Sequence, residues 1–156
     1  MDIMTLEMDS ITGETISFAE YKNEALLIVN LASQWGLTGQ YAGLRTLHND
    51  TEGLTVLGFP CNQFGAQEPG SNSEIHEFAT SKYNVNFPMF AKIEVNGEDA
   101  APLFKWLKAE QADEEGNDDI AWNFGKFLIN KNGEVVKRFH PKTSPEEIEA
   151  MLDKLL

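Results

Sequence analysis

Two apolar runs, Ala25 to Leu31 and Leu54 to Phe59, constrain this chain more than any other feature. Each has the length of a strand and is apolar nearly throughout, the pattern of a strand buried on both faces of a parallel sheet. Between them Tyr41, Leu44 and Leu47 recur at three-residue spacing, which places them on one face of a helix. Strand, helix, strand is the predicted unit. Parallel pairing requires such a crossover and brings both strand ends to one edge of the sheet, where open α/β sheets bind ligands. The stretches Asn30 to Gln40 (NLASQWGLTGQ) and Gly58 to Gly70 (GFPCNQFGAQEPG) are therefore expected to meet there.

The flanking segments read as follows. Residues up to about Phe18 form two short strands, a lid hairpin turned by Asp9, Ser10, Thr12 and Gly13. The crossover helix runs from Gln40 to Asn49 and stops near Gly53. Ser71 followed three residues later by Glu74 is a capping box, and Ile75, Phe78 and Ala79 supply the apolar face of the helix it starts. That helix should end before the extended step at Asn86 to Pro88. Met89 to Val95 is predicted to be a third strand, closed by Asn96 and Gly97. Pro102 suits the first turn of a helix whose Leu103, Trp106 and Leu107 face inward. Asp113 to Asp119 is an acidic, solvated loop. Phe127 to Asn130 and Glu134 to Phe139 flank a Lys-Asn-Gly turn and predict an antiparallel hairpin. Ser144, Pro145 and Glu147 open a final helix that buries Ile148, Met151, Leu152 and Leu155. This order suits a mixed central sheet with helices on both faces.

A chain of 156 residues with 42% apolar side chains and ten Phe suits one domain, 1–156, burying about two-thirds of its unfolded surface. The net charge of −13, from 12 basic and 25 acidic side chains, opposes docking on nucleic acid or anionic membranes. One cysteine makes no intrachain disulfide, and no signal-peptide pattern or membrane-length apolar run is present. A cytoplasmic location is expected. His48, His76 and His140 have no metal-ligand spacing, and Gly65 to Gly70 lacks the phosphate-cradling patterns. Cys61 reads as a small buried hydrophobe. Taken alone, Gln67 and Asn123 read as turn amides and Trp122 as core.

Several motifs together resemble the glutathione peroxidases over nearly the whole chain: NLASQWGLTGQY, LGFPCNQFGAQEPGS, NFPMFAKIEVNGEDAAPLFKWLK, WNFGKFLINKNGEVVKRF and SPEEIEAMLDKLL. The resemblance implies a thioredoxin-like fold and reduction of hydroperoxides to alcohols. It implies no stable cofactor, with electrons supplied by glutathione or a redoxin such as thioredoxin. Residue by residue, the family's catalytic amides and indole match Gln67, Trp122 and Asn123. Its reactive cysteine or selenocysteine matches position 35, which is Trp35 here. An indole is no substitute, because attack on a peroxide O–O bond needs a thiolate or selenolate that can be oxidised and reduced again.

Three explanations of Trp35 stand open: selenocysteine in the natural protein, a cysteine deliberately replaced, or a natural pseudo-enzyme that binds or signals. Gln34 before the site resembles the selenium-type phospholipid hydroperoxide members, and Thr80 stands where thiol-type members carry a resolving cysteine. Leu37 and Ala121 occupy positions where lipid-acting members often have lysine, which favours small soluble hydroperoxides. The short link from the third helix to the WNF motif resembles the monomeric members.

Overall fold

The computed structural model describes residues 2–33, 39–113 and 116–156. The expectations for Trp35, Gln34 and Leu37 fall on residues outside the described ones. Strand β1 (Glu7–Asp9) pairs antiparallel with β2 (Thr15–Ser17) as the N-terminal hairpin. The two apolar runs are β3 (Ala25–Leu31) and β4 (Leu54–Pro60), and α1 (Gln40–Asp50) crosses between them. They pair in parallel from Ala25 opposite Leu54 to Leu31 opposite Pro60, as the apolar pattern required.

The C-terminal half adds α2 (Asn72–Tyr83), α3 (Pro102–Glu110), β5 (Lys126–Ile129), β6 (Val135–Phe139) and α4 (Pro145–Leu155). The sheet order is β4-β3-β5-β6, with β5 antiparallel to both β3 and β6. It is a mixed sheet of the thioredoxin-like kind.

Every residue of β3 is buried because successive side chains enter different layers. Leu27, Val29 and Leu31 pack with Tyr41, Leu44 and Leu47 of α1, Ile75 and Ala79 of α2, and Ile148 and Leu152 of α4. Leu26 and Ile28 pack with Leu57 and Phe59 of β4, Phe127 of β5, and Leu103, Phe104 and Leu107 of α3. At roughly 1.5–3 kcal/mol for each fully buried large apolar side chain, these two layers outweigh any surface pairing in holding β3 central.

Helix ends follow local chemistry. Capping boxes formed by Ser71 with Glu74 and by Ser144 with Glu147 start α2 and α4. Helix α2 stops at Asn84, whose φ of +53° is the left-handed conformation in which helices commonly terminate. Trp106, expected inward, is only partly buried against the α3 layer.

The predicted third strand at Met89 to Val95 is a correction: this segment makes isolated bridges and no continuous strand. It starts as a parallel neighbour of β4, with the Gly58 N–H donating to Pro88 O at 3.0 Å and the Phe90 N–H to Gly58 O at 2.9 Å. The next donor on β4 would be residue 60, and Pro60 has no N–H. The ladder then slips, and the N–H of Ile93 bonds Pro60 O at 2.9 Å while the N–H of Lys92 turns to Asn72 Oδ1. Phe90 still stacks on Phe59 with centroids 4.6 Å apart. The hairpin docks on this segment through Ile11 N–H to Met89 O and Ala91 N–H to Asp9 O, both 3.0 Å. Among the described residues, no helix is long and apolar enough to cross a membrane.

Candidate active site

The Gly-rich stretch after β4 and the WNF motif before β5 meet beyond the end of the central strands. Asn123 is fully buried, and its Nδ2 donates to Gln67 Oε1 at 3.0 Å and weakly to Phe64 O at 3.4 Å. This carboxamide pair joins residues 56 positions apart. Trp122 is half-buried, its ring tilted on Phe64 with centroids 5.9 Å apart. Gly65 carries the close approach: its φ is +68°, and a Cβ there would lie 3.1 Å from the Trp122 ring and 3.5 Å from the Gln67 carboxamide carbon. Ala66 follows with φ +52°, so two left-handed residues in succession swing Gln67 toward the WNF turn. Gln67, Trp122 and Asn123 are thereby brought together; position 35 lies outside the described residues.

The loop carrying Gln67 is pinned on both sides. Glu68 is fully buried, and its Oε1 accepts from the Ser33 N–H at 3.0 Å. Its own N–H donates to Asn62 Oδ1 at 2.9 Å, and the Lys92 ammonium donates to Glu68 O and Gly70 O at 3.1 and 2.6 Å. Burial pushes the Glu68 carboxyl up to about 7, against the lowering effect of the Ser33 hydrogen bonds and Lys92. Glu68 therefore ties the chain directly after β3 to the loop that presents Gln67. The WNF turn is held from β3 as well, because Asn30 Nδ2 donates to Trp122 O at 3.0 Å.

Chemically the arrangement brings together neutral polar groups, two carboxamides and an indole, beyond the ends of the central strands. Such groups stabilise an anion by preorganised hydrogen bonds without themselves titrating near neutrality. Cys61, the single thiol of the chain, is fully buried, donates to Gln63 Oε1 at 3.5 Å, and has its pKa pushed up by burial. It is therefore packed as an inert thiol. Among the described residues no cluster of His, Cys, Asp and Glu is arranged to hold a metal. His48 instead accepts the Val56 N–H on the β4 edge at 3.1 Å, and burial pushes its pKa down.

Sequence reasoning singled out Gln67, Trp122 and Asn123 but missed Asn30 and Glu68. A signal existed for Asn30, which interrupts an otherwise apolar strand. Glu68 offered none, since a carboxylate beside Gln and Pro looks like solvated loop.

The glutathione peroxidase family model matches residues 3–108. The hydroperoxy fatty acid reductase gpx1 of Synechocystis is 48% identical over 155 residues, covering 95% of this chain and 92% of the relative. The crystal structure of T. cruzi GPX1 superposes with a TM-score of 0.79 at 37% identity, over 99% of this chain and 96% of that one. A thiol:disulfide interchange protein of the thioredoxin family from Chlorobium tepidum shares the fold alone, with a TM-score of 0.69 at 13% identity over 96% and 92% of the two chains.

Proposed function

The chain belongs to the glutathione peroxidase family, whose members are peroxidases, and we propose that its pocket is built for hydroperoxide reduction with residue 35 as the nucleophile's place. The observation that carries this reading is the Asn123 to Gln67 hydrogen bond of 3.0 Å beside the Trp122 ring, which brings two carboxamides and an indole together and leaves the Gln67 NH2 as the carboxamide donor still to be used. A chalcogen anion at position 35 would attack the distal oxygen of R–O–O–H. The O–O bond breaks, the alkoxide takes a proton and leaves as alcohol, and the nucleophile becomes a sulfenic or selenenic acid. Two equivalents of a thiol donor, glutathione or a redoxin, then return it to the anion, with release of water and a disulfide. No further cofactor enters this balance. Gln67, Trp122 and Asn123 would stabilise the anion and the leaving oxygen.

With Trp35 in place, peroxide turnover is expected to be absent. The choice between small soluble hydroperoxides and the fatty acid hydroperoxides named for the Synechocystis relative rests on Leu37 and Ala121, which carry no charge toward an anionic substrate. Trp35 itself favours a second reading, a non-catalytic protein that uses the same cleft to bind a partner. Replacing Trp35→Cys and following hydroperoxide-dependent oxidation of glutathione and of thioredoxin separates the two. Turnover in the variant alone supports the peroxidase; a folded, silent variant supports the binding protein.

A further inference from the structure

Asn30 is the one polar side chain in a strand of otherwise apolar residues, and it is fully buried. A buried carboxamide costs free energy unless its hydrogen bonds are made inside the protein. Those that Asn30 makes converge on one short stretch of chain, while its Oδ1 is buried without a hydrogen-bond partner among the described residues. Its backbone N–H donates to Gly125 O at 3.3 Å, its backbone carbonyl accepts from the Phe124 N–H at 2.7 Å, and its Nδ2 donates to Trp122 O at 3.0 Å. The Trp122 carbonyl accepts only from a donor, which fixes the orientation of the amide.

The turn so held is strained. Phe124 has φ +64°, a left-handed conformation that costs a residue with a Cβ about 1–2 kcal/mol. It is retained because the Phe124 ring is buried edge-on to Tyr41 with centroids 5.7 Å apart and because Asn30 brackets its backbone. Gly125 completes the fit: a Cβ there would stand 2.9 Å from Asn30 Oδ1. The consequence of the turn is that Asn123, one residue before the left-handed position, projects its carboxamide to Gln67.

We propose that Asn30 is a positioning residue of the pocket: by donating to the Trp122 carbonyl it locks the turn that aims the Asn123 carboxamide at Gln67 and seats the Trp122 ring. It ties that turn to β3, the same strand that leads in sequence to position 35. The proposal deepens the peroxidase reading, and its geometric part stands apart from whether the chain turns over peroxide.

The test uses two variants that lose the donor and keep the size small, Asn30→Asp and Asn30→Ser. In 15N spectra of the full chain, the Trp122 indole N–H and the Asn123 side-chain amide should shift while the Trp106 indole, on α3, stays in place. In the Trp35→Cys background either variant should lower kcat/KM by about 10- to 100-fold, as small misplacements of pocket groups do. Added to Asn123→Ala, it should lower kcat/KM by clearly less than it does alone, since only its effect through Trp122 remains. Unmoved Trp122 and Asn123 signals, or losses that multiply in full with Asn123→Ala, overturn the proposal. An inactive Trp35→Cys protein defeats the peroxidase reading while the spectra still decide on Asn30. Should both variants fail to fold, Gly125→Ala presses on Asn30 Oδ1 from the other side. Unmoved Asn123 signals in that folded protein then overturn the proposal.

Discussion

Trp122 and Asn123 take their places from neighbours that touch no substrate, so single substitutions near the pocket should divide into those that remove a donor and those that shift a charge. In the Trp35→Cys protein, Gln67→Ala removes one donor and is expected to cost on the order of 10²-fold in kcat, read from steady-state peroxide assays. Loss confined to KM would place Gln67 in substrate binding instead. Glu68 belongs to the second kind. Its folded carboxyl is raised from the ordinary 4.5 to about 7, so the folded state holds this proton more tightly than the unfolded chain. Its contribution to stability is complete below about 4.5 and is lost as pH rises through about 7. Glu68→Gln keeps the acceptor for the Ser33 N–H and removes the titration. Urea unfolding should therefore show the wild type losing ground to the variant between pH 4.5 and 7, by at most roughly 3 kcal/mol, and a constant difference across that range would contradict the assignment.

At the level of elements, much was legible before any coordinates. The βαβ unit followed from two apolar runs and one helical stripe, and α2 and α4 from their capping boxes. Ser71→Ala and Ser144→Ala should each cost about 1 kcal/mol, seen as a lowered thermal midpoint, because each leaves helix-end N–H groups without an acceptor. The segment after Pro88 was misread because its β-branched and aromatic residues promise a strand. What stopped the ladder was a missing N–H on a different strand, at Pro60, which a reading of the segment alone does not see. Gln67 and Asn123 were found through their motifs, whereas Asn30 and Glu68 matter through contacts spanning 92 and 35 positions. No local pattern encodes those pairings.

For the whole molecule, charge and surface argue together. Among the described residues Leu156 is the single exposed large hydrophobe, and these residues form no apolar patch of the size an obligate interface needs. With a net charge of −13, like copies also repel. Sedimentation is expected to show a monomer at ordinary salt, and a stable tetramer would contradict this. The four-stranded sheet has two edges, and they are blunted by different means. Along β4, the segment from Pro88 to Ile93 takes up the Gly58 N–H and the Gly58 and Pro60 carbonyls, falling out of step between them. Along β6 stand Lys137 and Arg138, the latter donating to the carbonyls of Gln111, Asn117, Asp118 and Asp119. On the β4 edge a stray strand from another molecule finds no unbroken row of amides on which to zip, so the proline that denied the sheet a fifth strand also denies fibrils a template there.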